Sequence, residues 1–263
     1  MTSTTSATRG RFVLSAHAGV TVALTVNPDF AEVEADQRVV NLTRFPLFLP
    51  EKRRFFLEDS NLFSFDAGSF ADTNDLVPFF SRRIGLDPNA FPIPIDFGAK
   101  MSGYVGPWNG GFLGTVTRET DTIPEKDLYA GRLSYDLNAH SSVGGIFTSG
   151  NPVADPNNQV LGANYTYTTD SFTGGKNLDF NVFLLKSWTE GLDGNDRAMG
   201  ARLSYPNDLW SWAVEAREIG DSFFPALGFV ERTGIRQYDG SLAWQPRPGA
   251  TSESFVSRSR RMF

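Results

Sequence analysis

Apolar residues recur at every second position in six stretches of this chain, with polar or small residues between them. In the first stretch, Val20, Val22 and Leu24 alternate with Thr21 and Ala23. The stretches cover residues 20–26, 95–105, 129–137, 161–168, 199–205 and 210–217. Because successive side chains of a β-strand point to opposite faces, this spacing predicts strands with one apolar and one polar face. Helical spacing is almost absent, so the chain is predicted to be all-β.

The connections between the predicted strands alternate between short and long. The short links are 106–110, 138–142, 173–176 and 206–209, and the long links are 119–127, 149–159, 189–197 and 220–234. This order predicts an antiparallel up-and-down meander whose turns are trimmed at one end. Outer-membrane β-barrels have this asymmetry. A soluble β-sandwich or open meander would show the same alternation with its apolar face on a core, so the pattern leaves both folds open.

Large aromatic residues lie near the ends of the predicted strands. They are Trp108, Tyr129, Trp188, Tyr205, Trp210 and Trp244. In a membrane barrel such residues form girdles at the two membrane–water interfaces. These six are therefore the predicted membrane-interface aromatics, and lipid of the outer membrane is the partner that they imply.

Composition argues against several kinds of site. The 263 residues include no cysteine, so a disulfide or a thiolate metal site is impossible. His17 and His140 are far apart in sequence, and no imidazole metal site is predicted. The net charge of −6 argues against nucleic acid as a partner. No run of about 18 apolar residues predicts a transmembrane helix. Residues 1–26 lack the apolar core of a signal peptide, so we expect the true start of an exported protein to lie upstream.

Charged and aromatic residues are densest in residues 27–65. Exposed phenylalanines and unpaired buried charges are both unfavourable, so this segment is predicted to fold into an enclosure in which acids and bases pair. Within a barrel it would form an inward-folded plug or constriction. The predicted ion-pair network of the lumen comprises Asp29, Glu32, Glu34, Asp36, Glu51, Lys52, Arg53, Arg54, Glu58, Arg82 and Arg83.

The acidic part of this segment has two sharper interpretations. If residues 31–36 are extended, Glu32, Glu34 and Asp36 share one face at intervals of about 7 Å. With Asp29 they could bind Ca²⁺, which takes oxygen ligands. They could also supply an acid–base pair for glycoside cleavage, together with Glu51 or Glu58.

Arg82 and Arg83 are interpreted as neighbours on a strand that point to opposite faces. One of them is predicted to form a bidentate contact with the acids of residues 29–36. Binding of an anionic substrate is the alternative.

Four blocks of sequence together resemble the DUF5916 family. They are VNPDFAEVEADQRVVNLTRFPLFLPEKRRFFLEDSNLF at 26–63, PFFSRRIG at 78–85, GAKMSG at 98–103 and DSFFPALGFVERTGIRQY at 221–238. The resemblance runs from about Gly19 to Trp244. It implies a β-barrel region of a bacterial envelope protein, located in the outer membrane. Larger members carry an N-terminal family-9-like carbohydrate-binding domain, and the biochemical role of the family is not established.

The chain departs from this family pattern in three ways. Arg54 stands where members have a small residue or proline, the carbohydrate-binding domain is absent, and the alternation stops after Trp244. We therefore expect a fragment or an incomplete barrel. The predicted organisation is a disordered or truncated N-terminus at 1–18, a barrel region at 19–244 with the plug at 27–65, and a polar tail at 245–263.

The sequence predicts a structural or transport role in the outer membrane, linked to glycans or other solutes. A membrane-associated hydrolase that uses Glu32, Glu34 or Asp36 with Glu51 or Glu58 is the enzymatic alternative. A soluble carbohydrate-binding β-module is the third. No nucleophile motif, P-loop or dinucleotide fingerprint is found, and no resident cofactor is predicted beyond Ca²⁺ at the acidic segment.

Overall fold

In a computed structural model of the protein, the structure describes residues 10–16, 19–28, 46, 48–67, 75–87, 91–246 and 255–262. These residues form fourteen strands, one short α-helix and two 3₁₀ turns. The strands are β1 Gly10–Ala16, β2 Val20–Val26, β3 Leu76–Val77, β4 Ile95–Val105, β5 Trp108–Thr117, β6 Lys126–Asn138, β7 Ser141–Ser149, β8 Asn158–Phe172, β9 Lys176–Thr189, β10 Arg197–Pro206, β11 Trp210–Ile219, β12 Phe229–Val230, β13 Ile235–Trp244 and β14 Phe255–Met262. The helix, α1, is Arg54–Leu57, and the 3₁₀ turns are Ser60–Phe63 and Ser81–Arg83.

Twelve of the strands form one sheet in which neighbours in the chain are neighbours in space. The order is β1-β2-β4-β5-β6-β7-β8-β9-β10-β11-β13-β14, and each of the eleven pairs is antiparallel. The predicted all-β antiparallel meander is thereby confirmed. β3 and β12 form a separate antiparallel pair. Among the described strands β1 pairs with β2 and β14 with β13, with no closing pair between them, so the sheet is open.

The links alternate in length as expected. Residues 106–107, 139–140, 173–175 and 207–209 are the short turns, and 118–125, 150–157, 190–196 and 220–234 are the long loops. All four short turns lie at one end of the sheet, which we term the short-turn end, and the long loops lie at the opposite, long-loop end. Two-residue and three-residue turns are the connections that antiparallel neighbours allow.

The two faces of the sheet are the reverse of those of a soluble sandwich. Polar side chains of the strands are buried, and they include Lys100, Thr115, Thr148, Asn164, Ser187 and Arg217. Their apolar neighbours on the opposite face are exposed, and they include Met101, Phe112, Phe147, Leu161, Leu184 and Val214. Successive residues such as Lys100 and Met101 therefore lie in opposite environments, as the pleat requires. We term these surfaces the inner face and the outer face.

The inner face is covered by chain from two places. The first is the inner segment, residues 48–67 and 75–87, which lies between β2 and β4 in the sequence. The second is the return loop, residues 220–234, which contains β12. Buried Phe55, Phe56 and Phe63 pack with Leu113 and Leu128, and a second cluster gathers Leu76, Phe183, Leu185 and Phe223. Apolar burial thus occurs between these segments and the sheet rather than between two sheets.

Two inner-face glycines allow this close packing. A methyl group at Gly111 would lie 2.5 Å from the ring of Phe63, and one at Gly144 would overlap the guanidinium group of Arg132. Both positions therefore favour a residue without a side chain.

Three sequence-based expectations differ from the structure. β1 falls within residues 1–18 and β14 follows Trp244, so strands are found in the segments expected to be a disordered or truncated N-terminus and a polar tail. Both strands pair through their backbones although their sequences alternate poorly. A bulge between Ile95 and Phe97 puts Ile95 in the buried core rather than beside exposed Phe97. Arg82 and Arg83 lie in a 3₁₀ turn, not on a strand, so the argument from opposite strand faces does not apply.

No helix among the described residues is long and apolar enough to cross a membrane.

Candidate functional site

Arg53 joins the beginning and the end of the inner segment. Its guanidinium donates to Glu51 through Nε at 2.8 Å and Nη2 at 2.7 Å, and to the carbonyls of Ile84 at 2.6 Å and Ser81 at 2.8 Å. The Arg53 and Glu51 side chains are each 8% exposed. Burial alone would raise the pKa of Glu51, but the hydrogen bonds and charge of Arg53 outweigh it and lower that pKa. Glu51 is therefore a carboxylate that holds the segment, not a proton donor.

Lys100 on β4 binds the end of α1. Its ammonium donates to the carbonyl of Phe55 at 2.7 Å and to the carbonyl of Glu58, and it lies 5.4 Å from the centre of the Phe55 ring. The carbonyls at the end of a helix have no partner within the helix. Two residues further along β4, the Ser102 hydroxyl donates to Asp59 at 2.7 Å. One buried strand face thus fixes the first part of the inner segment.

Arg132 is the corresponding cation on β6. It donates to the carbonyl of Ser64 at 3.1 Å, to the carbonyl of Gly145 at 3.1 Å and to Oδ1 of Asn164 at 2.9 Å. Its guanidinium carbon also lies 5.4 Å from the centre of the Phe65 ring. Arg132 therefore connects β6, β7 and β8 with the middle of the inner segment.

Arg217 on β11 makes an ion pair between the sheet and the inner segment. Nη1 and Nη2 contact the two carboxylate oxygens of Asp75 at 3.0 and 2.6 Å, and Nη2 also donates to Gln237 at 2.8 Å. The side chains of Arg217 and Asp75 are 4% and 15% exposed. Glu215 lies 3.9 Å from Nε of Arg217 and is also buried. A bidentate, buried pair of this kind specifies one orientation of the segment.

Asn158 of β8 binds the return loop to the sheet through hydrogen bonds. Its Nδ2 donates to the carbonyl of Phe224 at 2.7 Å, and its Oδ1 accepts the backbone N–H of Ala226 at 2.9 Å. Asn158 is completely buried, so both bonds satisfy groups that water cannot reach. Phe80 of the inner segment in turn donates its N–H to Leu227 of this loop at 2.7 Å.

Two cavities border these contacts. The first, of about 210 Å³, lies near the short-turn end and is lined by Asp66, Thr166, Thr168, Asp179, Phe180, Asn181, Arg202 and Ser204. The second, of about 270 Å³, lies at the long-loop end. It combines Arg82, Arg83 and Asp87 with apolar residues such as Phe80, Phe224 and Phe229. The first is bounded mainly by polar residues, and the second mainly by apolar residues.

The predicted charged residues that the structure describes form a buried pair, an exposed pair and a set bonded through the backbone. Glu51 and Arg53 lie together in the interior, whereas Arg54 pairs with Glu58 at 2.9 Å with its own side chain 83% exposed. Arg82 donates to the carbonyl of Pro50 at 3.1 Å and Arg83 to the carbonyl of Gly228 at 2.9 Å, while the backbone N–H of Lys52 donates to Glu51 at 2.9 Å.

Asp29, Glu32, Glu34 and Asp36 lie outside the described residues, so the calcium and hydrolase hypotheses stay predictions. Within the described part of the chain, no group of three His, Asp or Glu side chains is placed to hold a metal ion.

The six predicted interface aromatics divide between the two ends of the sheet. Trp108, Tyr205, Trp210 and Trp244 lie at the short-turn end, whereas Tyr129 and Trp188 lie towards the long loops. All six are on the outer face, and the five other than Tyr205 are exposed. Tyr205 is half-buried because its ring stacks on Trp212 at 5.8 Å.

The anchoring residues Lys100, Arg132, Asn158 and Arg217 were not among the predicted site residues. A signal exists in the sequence for Lys100, Arg132 and Arg217, because each occupies a polar-face position of a strand whose apolar face was recognised. Asn158 begins β8 but was assigned to the long link 149–159. Their partners, however, are backbone carbonyls or residues up to 142 positions away, which strand periodicity does not indicate.

The structure thus defines an antiparallel β-meander whose polar face binds its own inner segment and return loop. Residues 17–97 match the family described as "Domain of unknown function (DUF5916)". This match confirms the predicted family resemblance and covers β2, the described parts of the inner segment and the start of β4. No curated protein and no solved structure matches the chain.

Proposed function

We propose that this chain forms the wall of an outer-membrane-type β-barrel in a bacterial envelope, with the inner segment and return loop as its plug. The observation that carries the proposal is the sidedness of the sheet. Its covered face mixes polar and charged side chains with apolar ones, whereas its exposed face is apolar. The role that we propose for the protein is structural or transport-related, with glycans or other solutes handled in the lumen of the barrel.

The exposed apolar surface is continuous around the meander. Each of nine successive strands contributes to it, through Met101, Phe112, Leu133, Phe147, Leu161, Leu184, Met199, Val214 and Leu242. Met101, Leu133, Leu161, Leu184, Val214 and Leu242 have exposed fractions between 48% and 53%. Soluble monomers rarely expose apolar patches above a few hundred Å². Hydrocarbon removes the free-energy cost of this surface, since each such side chain gains about 1.5–3 kcal/mol when fully taken out of water.

The outer aromatic residues form two sets towards opposite ends of the strands, as interfacial girdles do. On β6, Tyr129 and Tyr135 are separated by six residues, or about 20 Å of strand. On β9, Phe180 and Trp188 are separated by eight residues, or about 26 Å. With the tilt of about 40° that barrel strands have, these lengths give heights of about 15 and 20 Å, somewhat below the apolar band of about 25 Å. The long loops would then face the cell exterior and the short turns the periplasm.

Twelve antiparallel strands also suit closure of the sheet. An even number makes the first and last strands antiparallel, so β1 and β14 have the relative direction that a closing pair needs. Closure would remove two edges that otherwise leave backbone hydrogen-bonding groups unpaired.

Site-directed spin labelling tests the membrane placement. The chain has no cysteine, so Leu133→Cys, Leu161→Cys and Leu184→Cys each give one labelling site on the outer face. Thr168→Cys is the inner-face comparison site on β8, exposed near the short-turn end. In lipid vesicles we expect the three outer labels to collide more with dissolved oxygen than with a water-soluble nickel complex, and the Thr168 label to show the reverse. Outer labels that are freely accessible to the nickel complex, in protein that stays monomeric without detergent, would exclude the barrel.

A further inference from the structure

The smaller cavity is built from a regular array of side chains on three neighbouring strands. Thr166 of β8 lies opposite Asn181 of β9, which lies opposite Arg202 of β10. Two residues nearer the short turns, Thr168, Asp179 and Ser204 form a second row in the same way. Asp66 of the inner segment completes the enclosure. Every wall strand here thus contributes two polar groups to one space.

Asn181 has an acceptor that the protein does not use. The side chain is 7% exposed, and its Oδ1 is buried with no hydrogen-bond partner. Its Nδ2 donates to the Asp66 carbonyl at 3.4 Å and to Thr166 Oγ1 at 3.2 Å. The Asp66 carbonyl can only accept, which fixes the orientation of the amide. A buried acceptor left unpaired is unfavourable. Oδ1 has almost no accessible surface in this conformation, so the Asn181 side chain, which lines the cavity, must turn for Oδ1 to accept from a donor there.

The other polar residues that line the cavity indicate what kind of ligand would supply this donor. The carboxylate of Asp179 accepts from Ser204 at 3.3 Å, and Asp66, whose carbonyl accepts from Asn181, also lines the cavity. These oxygens, with the Asn181 amide, favour a ligand that carries several O–H donors. Arg202 and the hydroxyls of Thr166, Thr168 and Ser204 add donors of their own, which match ligand oxygens.

The charge and the size of the cavity further restrict the class of ligand. Arg202 in the lining opposes a metal cation, and the carboxylate of Asp179 opposes an anion. The volume of about 210 Å³ corresponds to about seven waters at ~30 Å³ each. That is room for one small organic molecule rather than for a chain of them.

We propose that this cavity binds a small neutral solute rich in hydroxyl groups, of the size of a polyol or a single sugar ring. One hydroxyl donates to Oδ1 of Asn181 and another to the carboxylate of Asp179, while Arg202 donates to a ligand oxygen. This inference goes beyond the proposed membrane placement and does not rest on it, because every group that it uses belongs to the inner side of the sheet.

Binding is tested with the full chain in a detergent that contains no sugar. Glucose, myo-inositol and glycerol are the probes, with CaCl₂ and sodium citrate as the charged alternatives, and isothermal titration with saturation-transfer NMR gives the affinity. We expect at least one of the three neutral probes to bind. Asn181→Leu should weaken that binding at least tenfold, and Asp179→Asn should weaken it severalfold without changing the shape of the cavity. Asn109→Leu, on the polar face of β5 and outside the cavity, should leave it unchanged.

Three results would overturn the proposal. They are no binding of any neutral probe, neutral-probe binding that both cavity variants leave intact, and tight binding of Ca²⁺ or citrate in place of the neutral probes. Because Asp179→Asn is nearly isosteric, it keeps the test decisive even if Asn181→Leu does not fold. Membrane placement is measured separately by the spin labels, so failure of one proposal is distinguishable from failure of the other.

Discussion

The two halves of the sheet hold the inner segment by different chemistry. On β4 and β6, Lys100 and Arg132 donate to backbone carbonyls of the segment, those of Phe55, Glu58 and Ser64. On β11, Arg217 contacts the side-chain carboxylate of Asp75. A carbonyl is present at every residue, so the cations of the first half recognise the path of the backbone, with Ser102 adding one neutral donor to the Asp59 side chain. The second half depends on one acidic side chain, and it therefore specifies which residue docks there.

The largest effect is expected from breaking the ion pair on β11. Arg217→Met should lower the free energy of unfolding by about 3–5 kcal/mol, because it leaves the carboxylate of Asp75 buried beside Glu215 without its cation. Urea titration of the full chain measures this loss. Hydrogen exchange should show β3 and β12 opening more often, while α1 keeps its protection.

The double variant Arg217→Met with Asp75→Leu is the control for this prediction. Replacing both partners by apolar groups removes the unpaired carboxylate of Asp75 and should restore part of the lost stability, whereas buried Glu215 still loses the charge of Arg217 in both variants. A loss below about 1 kcal/mol for Arg217→Met would mean that the pair behaves as a surface salt bridge, and the contrast between the two halves would disappear.

A smaller effect is expected from the carbonyl-anchored half. Lys100→Met should cost about 2 kcal/mol, since two carbonyls lose a charged donor but no opposite charge is left buried. Here hydrogen exchange should increase in α1 and not in β3. Arg54→Met, which removes an exposed pair on the same helix, is the matched control and should change stability by less than about 1 kcal/mol. Equal losses for the two variants would contradict an anchoring role of Lys100.

The strands themselves could be predicted from the sequence, because their period of two is a property of the local chain. Val20–Val26 and Ile95–Val105 were delimited correctly on this basis. β14 could not be, since Ser257, Ser259 and Arg261 interrupt any apolar set, and its pairing with β13 depends on backbone groups that every sequence provides. Edge strands are in general the least constrained by side-chain pattern, because only one side of them must fit a neighbour.

The site was less predictable, for a physical reason. Periodicity separates an apolar from a polar face, but it does not state which face is covered. Only the tertiary structure shows that Arg132 is covered and Leu133 is exposed. The carbonyl anchors leave no trace in the sequence of the inner segment, whereas the acids and bases of residues 51–58 were visible as charges. Of these, the structure brings Glu51 and Arg53 together inside and places the Arg54–Glu58 pair outside.

The smallest effect is expected within the inner segment itself, at Glu51. The pKa of this carboxyl lies below its ordinary value of 4.5 because Arg53 outweighs the effect of burial. A folded-state pKa below the unfolded one means that the carboxylate stabilises the fold at neutral pH, and that this contribution is lost as the pH falls below about 4.5 and through the folded-state pKa. Glu51→Gln should therefore cost about 1 kcal/mol at pH 7, since glutamine keeps one acceptor for Arg53 but not the charge. The difference in free energy of unfolding from the unchanged protein should shrink between pH 5 and pH 3 in urea titrations.

Glu58→Gln, in the exposed pair with Arg54, is the control, and its free energy of unfolding should change with pH almost in parallel with that of the unchanged protein over the same range. If the Glu51→Gln difference grew on acidification, the carboxyl would be protonated in the folded state, and Arg53 would be held by the Ser81 and Ile84 carbonyls in the same way as the cations of β4 and β6.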